Sequence, residues 1–133
     1  MSPTRDRRPR WKVLLLGLAL LGLAPVGAGC GDLGASDETC RAGEPCVCDS
    51  LGSCRRTCEG RGCDFRCEGA GSCLLFCEEG GCRAEGTGTG SLILRCPGGS
   101  CDLTCSGLGS CELADCPENC NLHCLGSGTC TNG

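Results

Sequence analysis

Short runs that alternate cysteine or apolar residues with polar ones, separated by glycine-rich turns, recur along this chain after its first third. The clearest follow Cys-x-Φ-x-Cys, with Φ aliphatic or aromatic: Cys63-Asp-Phe65-Arg-Cys67, Cys73-Leu-Leu75-Phe-Cys77, Cys101-Asp-Leu103-Thr-Cys105 and Cys120-Asn-Leu122-His-Cys124. Residues two apart lie on one face of a strand. Each run therefore predicts a short strand that turns two cysteines and one bulky side chain inward.

The runs keep time. Cys54, Cys73, Leu92, Cys111 and Cys130 stand nineteen residues apart, and Cys63, Cys82, Cys101 and Cys120 form a second column half a repeat later. Cys58, Cys77 and Cys96 make a third column, with Cys116 one place beyond its slot at Asp115; Cys67, Gly86, Cys105 and Cys124 make a fourth. Gly52-Ser53, Gly71-Ser72, Gly90-Ser91, Gly109-Ser110 and Gly128-Thr129 repeat the same beat. A fixed period of this length marks a solenoid or array.

Two strands per period, joined by turns of four or five residues, make one coil. Leu75 then faces Ala84, Leu94 faces Leu103 and Leu113 faces Leu122, while Arg56 opposite Phe65 breaks the rule near the start. Polar positions separate two ways of stacking. A nineteen-residue register aligns Asp64, Arg83 and Asp102, and also Arg66 with Glu85; an antiparallel meander sets Arg55 beside Arg66 and Arg83 beside Arg95. Opposite charges across neighbouring strands contribute roughly 0.2–1 kcal/mol and like charges oppose pairing. The expected fold is all-β: a small two-sheet β-solenoid with nineteen-residue coils of two short strands, stapled by disulfides. The alternative is a disulfide-rich hairpin array.

Composition explains why staples are needed. Among 133 residues are 19 cysteines, 24 glycines and only 2 phenylalanines, so the apolar core is small and the entropy lost on folding large. A bridge closing a loop of six residues stabilises by about 2 kcal/mol in the chain-entropy model. Gly86 and Leu92 fill two consecutive places where the period expects cysteine, so one missing bridge accounts for both. If bridges join the end of one strand to the start of the next, eighteen cysteines pair completely: Cys40–Cys46, Cys48–Cys54, Cys58–Cys63, Cys67–Cys73, Cys77–Cys82, Cys96–Cys101, Cys105–Cys111, Cys116–Cys120 and Cys124–Cys130. A rival scheme joins equivalent cysteines one coil apart and also leaves no remainder. Strands lie about 4.8 Å apart, whereas bridged Cβ atoms prefer about 3.8 Å, which favours the local scheme.

The first residues carry a different message. Arg5, Arg7, Arg8, Arg10 and Lys12 precede an apolar stretch from Val13 to Ala24, too short to span a bilayer as a helix and shaped like an export signal. Val26-Gly27-Ala28-Gly29-Cys30 resembles the lipobox of bacterial lipoproteins, with Gly27 where those usually carry leucine. The resemblance implies removal of residues 1–29 and a lipid on Cys30, placing the protein at the cell envelope, at the outer membrane or cell surface. Ordinary cleavage after Ala28 is the alternative and gives a secreted protein. Parity favours the lipid, because eighteen remaining cysteines pair and nineteen do not. Residues 30–39 then read as a lipidated terminus and polar tether, and 40–133 as the repeat domain. From Cys30 onward seven arginines stand against fifteen acidic residues, a net charge of −8, which argues against nucleic acid or anionic headgroups as partners.

The repeats resemble the short-period β-solenoids with Gly-x-Gly-Ser/Asn turns found in uncharacterised bacterial secreted proteins and lipoproteins, here with cysteine where those often carry valine or threonine. The resemblance spans roughly 48–130, implies the fold and transfers no catalytic residue. Metallothionein-like chemistry would use many Cys-x-Cys pairs, and only Cys46-Val47-Cys48 occurs; Cys-x3-Cys does fit zinc-ligand spacing. There is no Cys-x-x-Cys redox pair, and the one histidine, His123, occupies an outward strand position. These residues predict a non-enzymatic envelope protein with a structural or partner-binding role, no cofactor and no metal; the alternative is a thiol-rich metal-binding protein. Leu74, Phe76 and Ile93, all outward, form a candidate patch for an unknown protein partner.

Overall fold

The structure, a computed structural model, describes residues 36–133, so the export segment and Cys30 lie outside the described residues. Eleven strands run β1 Ser36–Arg41, β2 Pro45–Cys48, β3 Cys54–Glu59, β4 Asp64–Cys67, β5 Cys73–Phe76, β6 Arg83–Gly86, β7 Leu92–Arg95, β8 Asp102–Cys105, β9 Cys111–Ala114, β10 Asn121–Cys124 and β11 Cys130–Asn132. Odd-numbered strands form one sheet and even-numbered strands the other, each in chain order. The described residues therefore form a two-sheet β-solenoid of about five coils, with all their strand pairs parallel.

The register is the sequence period made physical. Cys54 lies opposite Cys73, Cys73 opposite Leu92, and Leu92 opposite Cys111, each a step of nineteen. Asp64, Arg83 and Asp102 stack in the second sheet, with Arg66 beside Glu85. Among the described residues these neighbours do not close to ion pairs; the contacts that form are Arg41–Glu59, Arg56–Glu38 and Arg95–Asp115. Asp102 instead accepts a 2.7 Å hydrogen bond from the amide of Asn121.

Alternation places the core between the sheets. Leu75, Leu94 and Leu113 face inward from one sheet, Phe65, Ala84 and Leu103 from the other, none more than 2% exposed. Leu122, on the edge strand β10, is half-buried. Inward cysteines flank this apolar seam at both corners. Five bridges, Cys40–Cys46, Cys58–Cys63, Cys77–Cys82, Cys96–Cys101 and Cys116–Cys120, span the turns from the first sheet to the second. Four more, Cys48–Cys54, Cys67–Cys73, Cys105–Cys111 and Cys124–Cys130, span the return turns. Their Cα separations of 5.8 to 6.5 Å suit a disulfide.

The return corner also explains the Gly-Ser beat. The backbone N–H groups of Cys54, Cys73, Leu92 and Cys111 donate to the carbonyls of Ser72, Ser91, Ser110 and Thr129 one coil on, at 2.7–2.8 Å. The ladder thus continues through the turns and draws them close. A Cβ on Gly71, Gly90, Gly109 or Gly128 would overlap the carbonyl oxygen of the equivalent glycine one coil before. Glycine is required here for contact between coils.

The first coil departs from the sequence reading. The polar tether expected to run through Thr39 gives way at Ser36, where β1 begins and pairs along β3 in an eighteen-residue register. That pairing sets Glu38 opposite Arg56. Arg56, the residue that breaks the apolar rule, has a side chain only 11% exposed, and its guanidinium lies 2.7 Å from the Glu38 carboxylate. Within the described residues the inward column of apolar side chains thus gives way to an ion pair across β1 and β3.

Candidate functional site

Strand alternation fixes what each sheet shows to solvent. The second sheet presents Asp64, Arg66, Arg83, Glu85, Asp102, Thr104, Asn121 and His123 in its last four strands, with charges of both signs and no large apolar side chain. The first sheet differs at its centre. There Leu74 lies in register with Ile93, and Phe76 stands two residues further along the strand from Leu74.

The three predicted patch residues thus come together, but half-buried rather than fully exposed. They pack against their outward neighbours on adjacent strands. The Arg55 guanidinium lies 4.8 Å from the centre of the Phe76 ring, within the range of a cation–π contact. Beside them runs a groove of about 370 Å³, lined by Ser53, Cys54, Arg55, Ser72, Cys73, Leu74, Ser91 and Ile93. Leu74 and Ile93 form its apolar floor, and Ser53, Ser72 and Ser91 stand along one side. Sequence reading missed Arg55 and the serines. Their signal was present in the Gly-Ser beat, but only stacking places successive turns beside one apolar strip.

The sulfur atoms make a second constellation. Successive bridges at the first-to-second-sheet corner stack closely enough that Cys58, Cys63 and Cys82 hold their Sγ atoms within 4.8 Å of one another. The same holds for Cys77, Cys96 and Cys101, and for Cys96, Cys116 and Cys120. All these cysteines are bonded in disulfides, which offer no thiolate to a metal. Reduction of two neighbouring bridges, two electrons each from two dithiols, would release four thiols per pair of coils, the donor type that takes zinc or copper(I).

His123 is exposed and faces Thr104 in register. A shallow depression over it is lined by Arg83, Ala84, Glu85, Asp102 and Thr104. Cys30 lies outside the described residues. No family model, curated protein or solved structure matches the chain.

Proposed function

We propose that the chain is an exported, lipid-anchored protein of the cell envelope, at the outer membrane or cell surface, whose solenoid has a structural or partner-binding role and catalyses no reaction. The observation that carries this reading is how the cysteines divide. Nine bridges take up all eighteen from Cys40 to Cys130, and the nineteenth, Cys30, follows an apolar segment and a run of small residues. Lipid on Cys30 gives that cysteine a chemistry of its own. The fold supports the same reading: disulfides this numerous persist where the compartment is oxidising. Radiolabelled palmitate fed to a bacterial host expressing the full chain tests it. Label is expected on the protein and is lost in Cys30→Ser; an exported but unlabelled protein overturns the anchor.

A second reading, a thiol-rich metal-binding protein, draws on the three close sulfur sets at one corner. Intact mass with free-thiol titration separates the two. Eighteen oxidised cysteines without metal support the stapled solenoid, whereas reduced thiols with stoichiometric zinc or copper support storage.

A further inference from the structure

The apolar groove lies at the end of the first sheet where the chain enters it. Ser36 is in register with Cys54, Cys54 with Cys73, and Cys73 with Leu92. The first residue of β1 is thus one, two and three strands from the strands that form the groove, or about 15 Å from the farthest at 4.8 Å per strand. Because β1 takes up Ser36–Thr39, the segment from Cys30 to Ala35 is all that separates the lipidation position from the sheet. Six residues reach at most about 21 Å. A lipid on Cys30 would therefore hold the groove close to the bilayer.

We propose that the first sheet lies face-down on the lipid surface that anchors the protein. Leu74, Phe76 and Ile93 enter the boundary between headgroups and acyl chains, and Arg55 meets lipid phosphate. The inference rests on the reading of Cys30 as lipid-bearing and adds to it an orientation. The two faces decide which side turns down. Both sheets turn charges outward, Asp64, Arg66, Arg83, Glu85 and Asp102 on the second and Arg41, Arg55, Glu59, Arg95 and Glu112 on the first, but the first gathers three large apolar side chains, Leu74, Phe76 and Ile93, at its centre. The first carries an apolar strip with serine hydroxyls and one guanidinium beside it, a combination suited to the wet edge of a bilayer. Short lipid anchorage is strengthened by a second membrane contact, and this strip supplies one.

The test uses the chain from Cys30 onward, which contains every described strand. Cys30 is coupled chemically to a dialkyl maleimide lipid and the product placed in phosphatidylcholine vesicles. The chain's single tryptophan, Trp11, precedes this segment, so Ile93→Trp and, on the other sheet, Thr104→Trp each introduce one reporter. Nine bridges in each variant, counted by mass, show that the fold is kept. The emission of Ile93→Trp is expected to shift to the blue and to be quenched severalfold more by acyl-brominated lipid than that of Thr104→Trp. Equal quenching of the two variants, or none, overturns the orientation. A blue shift of Ile93→Trp that grows with protein concentration in unlipidated protein without vesicles also overturns it, because a second copy then covers the strip. Chemical coupling keeps this result apart from fatty-acid labelling in cells: unlabelled Cys30 refutes the anchor, and an unquenched Ile93→Trp variant refutes the face.

Discussion

Leu92 lays its Cδ2 methyl 2.7 Å from the point where a Cβ on Gly86 would stand. These two residues occupy the places of one absent bridge, between Cys67–Cys73 in one neighbouring coil and Cys105–Cys111 in the other. A leucine packed over a glycine replaces the disulfide, and Leu92 is 2% exposed. The corner keeps its filling but loses its covalent tie.

Restoring the tie is a direct test of the return corner. Gly86→Cys with Leu92→Cys is expected to close a tenth bridge, leaving no titratable thiol among residues 40–130. Leu92→Cys alone loses core packing and falls about 2 kcal/mol or more below the parent in denaturant melts. The double variant recovers about 2 kcal/mol of that through loop closure. Two free thiols in the oxidised double variant would contradict the stacked geometry.

The glycine columns predict a sharper loss. Gly71→Ala and Gly109→Ala place a methyl on backbone of the preceding coil, which has no rotamer to give. Each is expected to cost about 3 kcal/mol, the upper range for overpacking. Gly43 is the control: its φ is 88° but nothing lies within 4 Å of an added Cβ. Gly43→Ala should cost only the left-handed strain, about 1 kcal/mol. Comparable denaturation midpoints for Gly71→Ala and Gly43→Ala would argue against close contact between turns.

A left-handed position recurs at the other corner. Gly43, Gly62, Gly81, Ser100 and Asn119 stand nineteen residues apart and all have positive φ, with Ser100 at 58° and Asn119 at 55°. Serine bears this conformation poorly, while asparagine tolerates it better. Ser100→Gly is expected to raise stability by about 0.5–1 kcal/mol and Asn119→Gly by less, measured by chemical denaturation of oxidised protein.

Burial orders the bridges by their access to reductant. Both sulfur partners of Cys77–Cys82 and Cys96–Cys101 are at most 2% exposed, whereas Cys124 is exposed and Cys116, Cys120 and Cys130 are half-buried. Thiol–disulfide exchange requires the attacking thiolate to reach sulfur. Limiting dithiol followed by alkylation and peptide mapping should label Cys124, Cys130, Cys116 and Cys120 first, and the two central bridges last. Early labelling of Cys77 or Cys96 would mean that the solenoid opens from its middle.

Much of this was legible in the sequence because a solenoid turns distance along the chain into distance in space. Asp64 and Arg83 are nineteen residues apart and are strand neighbours, so composition at a fixed offset reports contact. Cys-x-Φ-x-Cys likewise reports which side chains share the core. The first coil was less readable. Glu38 looked like part of a polar tether because no periodicity marks it, and its role appears only when it faces Arg56 across β1 and β3. The groove was half readable: Leu74 and Ile93 stood out as outward apolar residues, but Arg55 reaches Phe76 only diagonally across two strands.

By itself, the sequence determined the coil length, the two strands in each coil and the supply of cysteines at each turn, all of which depend on local spacing. Tertiary structure alone decided why the turn glycines admit no side chain, how the apolar column gives way to an ion pair at Arg56, and which face carries a groove. Those depend on the approach of one coil to the next. Backbone hydrogen bonds set that approach, and it brings Gly71 against Gly52 as firmly as it brings Cys73 beside Cys54.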